Sequence, residues 1–223
     1  MFGTFKVEKL NFLISLYIFC IAVSELMGGK TLPIATLGTF KLTASVAIFV
    51  LPITFTINDI VTEVLGPERA RSIVRSGLIV IFLFLVYSLL ATHLPPSQRF
   101  KSTEPAYEKI FSTSARIAAA SLIAFLLSEF TDIFVFVKIR KLLGKKGLWL
   151  RNNASNFVSQ FIDTAVFITL AFYALNLPFT DNVSFLTGLI LPYWLLKCFM
   201  SIIETPFVYL GVQWLKKDKK PSK

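Results

Sequence analysis

Apolar residues are grouped into six long stretches along this chain, and shorter polar segments separate them. Each stretch is near or above the roughly 20 residues that a tilted helix needs to cross a bilayer. The pattern therefore predicts an all-α integral membrane protein with six transmembrane helices. We assign residues 1–215 to one six-helix domain and residues 216–223 to a basic cytoplasmic tail. The stretches lie at about 10–27, 42–65, 73–92, 112–137, 154–176 and 184–214.

Prolines lie inside two of these stretches. Pro52 falls in the second and is expected to kink or break its helix, because proline lacks the backbone N–H that a helix interior needs. Pro192 and Pro206 fall in the sixth. We expect the sixth stretch to form one long helix that leaves the membrane near Trp214.

Composition supports the same assignment. Hydrophobic residues make up 55% of the chain, compared with about 45–50% in an average soluble domain. The mean hydropathy is +0.69. The 223 residues leave room for one compact helical domain and for no sizeable soluble one.

Lysine and arginine are concentrated on alternate connecting segments, which sets the predicted orientation. Cytoplasmic loops of membrane proteins are enriched in these residues, so the richer side is assigned to the cytoplasm and both termini lie inside. The net charge of +10 reflects these basic cytoplasmic loops, which are attracted to anionic lipid headgroups and set the topology. No nucleic-acid partner is predicted. The richer side carries the basic residues of 6–9, 69–75, 138–151 and 216–223, and the other side those of 30–41 and 99–116.

Acidic residues lie within five of the six apolar stretches, and Lys197 joins them in the sixth. An ionisable group in hydrocarbon costs at least about 2.5–3.5 kcal/mol, so it normally faces a partner or a polar cavity. These residues therefore predict a polar interior, typical of a carrier or channel. Glu25, at the outer end of the first stretch, is interpreted as reaching the membrane interface, and a role at an outer vestibule is the alternative. The others are Asp59, Glu129, Asp132, Asp163, Lys197 and Glu204.

Helical spacing places several of these residues on common faces. Glu129 and Asp132 are three residues apart, and their alternative role is an ion pair with Lys138, Arg140 or Arg151. The fifth stretch carries a polar stripe that suits either interhelical hydrogen bonds or a ligand surface. Its members are Asn153, Asn156, Gln160 and Asp163.

The sixth stretch carries Lys197 and Glu204, which are seven residues apart and cannot easily pair with each other. Each is expected to meet a group on another helix or a bound solute. Lys197 is the one cation expected inside the membrane, so a carboxylate that only neutralises it is the alternative to a binding role.

Three polar motifs give the chain its resemblance to a known family. It resembles the queuosine precursor transporters, also called the putative vitamin uptake transporter family, from about residue 10 to about 212. The first motif is Thr54-Phe55-x-x-Asn58-Asp59-x-x-x-Glu63-x-x-Gly66, followed by Arg69 and Arg71. The others are Arg151-Asn152-Asn153-x-Ser155 leading to Ser159-Gln160-x-x-Asp163-Thr164, and Lys197 through Thr205-Pro206-Phe207-x-Tyr209.

The resemblance implies a fold similar in outline to the substrate-binding components of vitamin transporters. It implies uptake of cyano- or aminomethyl-deazaguanine, or of a queuine-like base, into a prokaryotic cell across its inner (cytoplasmic) membrane. No dedicated ATPase module is expected, and the protein could form a homodimer. Alternating access around a mid-to-inner cavity, with or without proton coupling, is the mechanism we expect.

Such a ligand presents adjacent N–H donors, a carbonyl and a flat ring. A carboxylate can accept the donors in a bidentate manner, and an amide or ammonium can donate to the carbonyl. Aromatic stacking on a base contributes about 1–3 kcal/mol, and the candidate rings are Phe55, Phe130, Phe161, Tyr193 and Trp194. The predicted substrate-binding residues are Asp59, Glu129, Asp132, Asn153, Gln160, Asp163, Lys197 and Glu204.

Two other classes of function are alternatives to a carrier. An enzyme is not predicted, because His93 is the sole histidine and the chain has no paired-histidine metal-ligand set. No catalytic residue, metal or cofactor is therefore assigned. The alternative is a substrate-binding subunit of an ATP-driven vitamin importer, which shares the helix count and the small size.

Overall fold

The structure, a computed structural model, describes residues 8–38, 40–143 and 148–216. Within these ranges some side chains are outside the description, among them those of Glu129, Asp132, Asn153 and Glu204. The predicted tail, residues 216–223, lies outside the described residues beyond its first position.

The described residues form six α-helices that pack into a bundle. α4 packs mainly on α5 and α3, whereas α2 packs on α6, and α1 contacts α2, α3 and α4. The helices are α1 (Lys9–Met27), α2 (Leu51–Leu65), α3 (Pro67–Thr92), α4 (Glu104–Leu143), α5 (Leu148–Phe172) and α6 (Phe179–Lys216).

Five segments of the described chain are long and apolar enough to cross a membrane. α5 contributes a shorter apolar segment, Phe157–Phe172. Several crossings are therefore supported, and the sixth remains a prediction. α6 is 38 residues long and continues through both internal prolines, in agreement with the long final helix expected from the sequence. The five segments are Lys9–Met27, Val46–Leu65, Pro67–Thr92, Glu104–Ser128 and Phe179–Phe199.

A β-hairpin between α1 and α2 corrects the all-α prediction. Its strands are β1 (Thr31–Leu37) and β2 (Phe40–Ser45), paired antiparallel with Thr31 opposite Ser45. Threonine and β-branched residues favour strands, and Gly38 turns the chain with a φ of +63°, a conformation that glycine adopts without strain. The second apolar stretch was predicted to begin at residue 42, so its first residues belong to this hairpin.

Pro52 marks the start of α2, as its chemistry requires. A short 3₁₀ helix, Val46–Phe49, precedes it, and α2 begins at Leu51 with the proline in its first turn. The first N–H groups of a helix have no partner within it, so a missing N–H costs little there. The predicted break in the second stretch is confirmed.

An apolar cluster seals one end of the bundle. Its buried residues come from α1, α2, α3 and α6, and we call it the end cluster. Gly211 on α6 lies against Ile60 so closely that an added Cβ would overlap the Ile60 side chain. The backbones of α2 and α6 therefore approach closely here. The end cluster consists of Leu13, Tyr17, Ile57, Ile60, Val61, Ala70, Ile73, Val212 and Leu215.

The outer surface of the bundle is apolar. On α3, large apolar side chains recur at helical spacing and are about half exposed or more, which is unusual for a soluble protein. This stripe suits contact with lipid. Its members are Ile79, Phe82, Leu83, Val86 and Leu90.

Hydrogen bonds and a second apolar cluster hold the opposite end of the bundle, where the hairpin lies. The Tyr193 hydroxyl on α6 donates to the Ser45 carbonyl at 2.8 Å, and the Ser45 hydroxyl donates to the Gly28 carbonyl at 2.6 Å. Arg116 on α4 donates to the carbonyls of Leu170 and Tyr173 at 2.7 and 2.6 Å, where α5 ends. We call this the hairpin end.

Candidate functional site

A cavity of about 340 Å³ lies inside the bundle. Its volume is at the lower end of the range of about 300–1,000 Å³ that is typical of small-molecule sites. All six helices contribute to its wall, as do Ser45 and Ala47 beside the hairpin. The polar lining residues on the helices are Tyr17, Ser24, Glu25, Thr54, Asn58, Ser121, Asp163, Thr164, Tyr193 and Lys197.

The cavity lies toward the hairpin end. α1 contributes residues from Tyr17 to its C-terminus, and α2 contributes only its first half, from Leu51 to Asn58. The end cluster closes the bundle beyond it. With the predicted orientation, the hairpin end is the outer one, so the expected mid-to-inner position is not where this cavity lies.

An ion pair forms part of the cavity wall. The Lys197 ammonium on α6 donates to the Asp163 carboxylate on α5, with Nζ and Oδ2 2.5 Å apart. The side chains are 16% and 28% exposed, respectively. The structure therefore brings two predicted site residues together in the cavity wall. The ion pair also agrees with the alternative that a carboxylate neutralises Lys197.

Glu25 is a cavity residue that sequence reasoning placed elsewhere. Its side chain is buried, at 5% exposure, and lines the cavity. The predicted interface position is wrong, because the C-terminal part of α1 turns this side chain inward against α4. Ser121 interacts with the carboxylate. Atom Oε2 has no hydrogen-bond partner among the described residues. The sequence signal that could have identified Glu25 as a cavity residue is the same as for the other carboxylates, namely an acidic residue within an apolar stretch.

Asn58 also lines the cavity, although the sequence prediction chose its neighbour. Its Oδ1 atom is buried and has no hydrogen-bond partner among the described residues. Asp59 lies on the exposed side of α2, outside the lining, and interacts there with another group. Consecutive helical residues point about 100° apart, so Asn58 can face the cavity while Asp59 faces away from it. Thr54 and Asn58 are polar residues four positions apart on one helix face, and this spacing is the sequence signal that could have identified Asn58 as a cavity residue.

Aromatic rings supply flat apolar surface in the cavity. Among the predicted rings, Phe55 and Tyr193 line it. Phe130 is 71% exposed, and Trp194 packs edge-on against Phe161, with ring centroids 5.2 Å apart, outside the lining. The lining also includes rings that were not singled out, namely Tyr17, Phe125, Phe167 and Phe172.

The remaining predicted site residues lie elsewhere on the helices. Gln160 is half-buried on α5, one turn before Asp163 and outside the lining, and interacts with other groups. The side chains of Glu129, Asp132, Asn153 and Glu204 are outside the description. By backbone position, each lies further from the hairpin end than the cavity residues of its helix. Asn153, for example, precedes Asp163 by about 15 Å at 1.5 Å per residue.

Metal ligands are not gathered anywhere in the described chain. Among its residues, no group of three or more His, Cys, Asp or Glu side chains is arranged to hold a metal ion. The arrangement can instead bind an uncharged or weakly charged ring. The described wall offers acceptor oxygens on α1 and α2, a charged pair between α5 and α6, and aromatic faces from several helices.

Comparison with known proteins agrees with this arrangement. Residues 45–211 match the family described as putative vitamin uptake transporter. The chain belongs to this family. The match spans α2 to α6 and includes most of the cavity wall, so the protein is a multi-pass membrane transporter. The resemblance recognised from the polar motifs is thereby confirmed.

Named relatives cover most of the chain. A "Probable queuosine precursor transporter" of Bacillus subtilis is 29% identical over 192 residues, covering 85% of this chain and 80% of the relative. A protein of the same name from Haemophilus influenzae is 28% identical and covers 78% and 71%. The "Queuosine precursor transporter" of Escherichia coli is 28% identical and covers 56% and 53%. No solved structure matches the chain significantly.

Proposed function

We propose that this protein takes up queuosine precursors, either cyano- or aminomethyl-deazaguanine or a queuine-like base, into the cytoplasm by alternating access. The observation that carries the proposal is the cavity wall, where the Asp163–Lys197 ion pair, unpartnered acceptors and aromatic rings surround a space suited to one small heterocycle. The names of the relatives support the choice of ligand.

The ion pair retains hydrogen-bonding capacity for a ligand. An ammonium has three donors, and Lys197 uses one of them on Asp163. It can donate another to the ring carbonyl of a deazaguanine. The second carboxylate oxygen of Asp163 can accept a ligand N–H, or a cation from an aminomethyl group. The pair therefore suits an uncharged base as well as its aminomethyl derivative.

Stacking provides the second part of the affinity. A flat base between cavity rings such as Phe55 and Phe167 gains about 1–3 kcal/mol for each good contact. The remaining lining is mostly aliphatic, which favours a weakly hydrated ring over a sugar or a free ion.

Alternating access requires the two ends of the bundle to open in turn. In the topology we propose, with six crossings and both termini in the cytoplasm of a prokaryotic cell, the end cluster lies on the cytoplasmic side of the inner membrane. Release into the cell then requires α1, α2, α3 and α6 to separate at this cluster. The scheme needs no ATPase module and is compatible with a homodimer.

The test is uptake in a bacterial host that cannot synthesise queuosine precursors and lacks its own carrier. The host receives 7-cyano-7-deazaguanine at nanomolar concentration, and queuosine in its tRNA is quantified by mass spectrometry. The protein is expected to restore queuosine, and Lys197→Ala is expected to abolish most of the effect.

Leu195→Ala serves as the control, since Leu195 lies on the same helix and is 40% exposed. It is expected to transport normally. Absence of restoration by the wild-type protein, at a normal level in the membrane, would overturn the proposed substrate. Normal transport by Lys197→Ala would overturn the proposed site.

A further inference from the structure

Two buried acceptor atoms in the cavity wall have no hydrogen-bond partner among the described residues. They are Oε2 of Glu25 on α1 and Oδ1 of Asn58 on α2. Both residues line the same cavity, and their helices pack against each other. A buried polar atom normally has a partner, so an unpaired one needs an explanation. Two of them facing one cavity indicate that a ligand provides the missing donors.

The chemistry of the two atoms defines what the ligand must offer. The oxygens of an ionised carboxylate and of an amide only accept hydrogen bonds, so both require N–H or O–H groups. Glu25 interacts with Ser121, and no basic side chain among the described residues forms an ion pair with it. A neutral donor pair or a delocalised cation is the partner that such a carboxylate lacks. The part of the wall formed by α1 and α2 can therefore accept hydrogen bonds from a ligand.

A different part of the wall, at Lys197 on α6, can donate hydrogen bonds to a ligand. Lys197 keeps two N–H groups beyond the one that it gives to Asp163. A ligand with a donor edge and a neighbouring carbonyl would thus have one orientation in the cavity, with its donors toward Glu25 and Asn58. Phe55 lies three residues before Asn58 on the same face of α2, so its ring lies beside the amide.

From this arrangement we infer that Glu25, assisted by Asn58, recognises the 2-amino group and the adjacent ring N–H of an aminopyrimidinone edge. The inference rests on the proposed function and specifies which edge of the base the protein recognises. Heterocycles with this edge bind, and close analogues without the 2-amino group are rejected. Discrimination comes from the acceptors themselves, because an analogue without donors leaves them buried and unsatisfied.

The test compares two ligands on the purified full-length protein in detergent. Isothermal titration measures the affinity for 7-cyano-7-deazaguanine and for its 2-deamino analogue, 7-cyano-7-deazahypoxanthine. The wild-type protein is expected to prefer the first by about 10- to 100-fold, the range of a lost charge-assisted hydrogen bond. Glu25→Gln replaces one acceptor by a donor and is expected to reduce this preference to a few-fold.

A second pair of variants keeps the inference testable if Glu25→Gln does not fold. Asn58→Leu removes the unpartnered acceptor and is expected to lower the preference. Ile53→Ala lies on the same helix but outside the cavity lining, and the Ile53 side chain is 38% exposed. It is expected to leave the preference unchanged. Melting temperatures in detergent establish which variants are folded.

The outcomes separate this inference from the proposed function. A wild-type protein that binds both ligands equally overturns the recognition of the 2-amino group and leaves the carrier function standing. The same holds if folded Glu25→Gln and Asn58→Leu retain the full preference. A wild-type protein that binds neither ligand overturns the proposed substrate class and, with it, this inference.

Discussion

The hairpin end and the end cluster are built from the same helices by different chemistry. α1, α2, α3 and α6 contribute to both. At the end cluster their contacts are aliphatic and close, with Gly211 allowing α2 and α6 to touch. Toward the hairpin end, α1, α2 and α6 carry a carboxylate, an amide, an ammonium and hydroxyls around a cavity, and α3 adds apolar side chains. The comparison teaches that one bundle combines an apolar seal with a chamber that carries a few polar groups, through residue choice along the helices.

Different forces hold the two regions together. The end cluster relies on dispersion and the exclusion of apolar surface, whereas the region around the cavity adds hydrogen bonds and one ion pair to its apolar packing. Polar contacts can be exchanged for equivalent contacts with a ligand, whereas an apolar seal can only open or close. We therefore expect substitutions in the cavity to change transport and those in the end cluster to change stability.

The largest effect is expected at the ion pair. Removing one partner leaves the other charge without compensation in a largely buried wall, at a cost of about 3–5 kcal/mol for a fully buried pair. Both side chains keep some exposure, so Asp163→Ala and Lys197→Ala should lie near the lower end. Both should also lose transport. Thermal unfolding in detergent and uptake into proteoliposomes measure the two effects.

The double variant Asp163→Ala with Lys197→Ala separates these roles. It should recover much of the lost stability, because no unpaired charge remains, while transport stays low. A double variant as unstable as either single variant would contradict the pairing. A double variant that transports normally would contradict the role of the pair in ligand binding.

A smaller effect, on stability alone, is expected at the end cluster. Ile57 is 2% exposed there, and Ile57→Ala should destabilise the protein by about 2–4 kcal/mol through the lost contacts and the cavity left behind. Ligand affinity of the folded protein should remain within about two-fold of wild type. Ile53→Ala, on the same helix but 38% exposed, is the matched control and should have little effect. Loss of affinity without loss of stability would blur the distinction between the two ends.

A local effect is expected at the connection between α5 and α6. Asn182, 2% exposed, accepts from the Ala174 N–H and donates to the carbonyls of Ala174, Leu177 and Pro178. Asn182→Ala should cost about 1–3 kcal/mol, since it leaves these groups unsatisfied. Hydrogen exchange should increase across residues 174–182 and not at the end cluster. The neighbouring exposed variant Asp181→Ala should leave exchange unchanged, and a uniform increase in exchange would refute the local role.

The smallest effect is expected at Tyr193. Tyr193→Phe removes the hydroxyl that donates to the Ser45 carbonyl and should lower stability by about 1 kcal/mol. Because the ring remains, affinity for a deazaguanine should be nearly unchanged. Tyr193→Leu removes the ring as well and should weaken binding if this face stacks on the ligand. Titration of both variants makes the comparison, and equal affinities would remove Tyr193 from the stacking surface.

Much of this architecture could be predicted from hydrophobic pattern, and some of the site as well. The apolar stretches predicted each helix, because a helix in lipid satisfies its own backbone and needs a long apolar surface. They predicted the C-terminal ends of most helices to within a few residues, whereas five of the six helices begin five to nine residues from the predicted start. Asp163 and Lys197 were identified because an ionisable group in such a stretch requires a polar environment. The hairpin escapes this reasoning, because residues 31–45 lie between the first apolar stretch and the start of the second, which the pattern assigns to a helix.

Periodicity assigns residues to a face of a helix but does not say which helix that face meets. It could therefore not decide between Asn58 and Asp59, or choose the partner of Lys197. The same limit explains Glu25, whose position near a helix end suited an interface until the packing of α1 against α4 became known. Such pairings depend on the rotation and crossing of whole helices, which are set by the sum of many side-chain contacts.

The amino-acid sequence by itself determined that this chain enters a membrane, where its helices run and that charged groups must lie inside. Those properties follow from local chemistry, the transfer of each segment between water and lipid. Only the tertiary structure decided that Asp163 pairs with Lys197, that Glu25 and Asn58 face one cavity, and that the cavity lies toward the hairpin. Those properties depend on contacts between residues far apart in the chain, and no single segment contains the information.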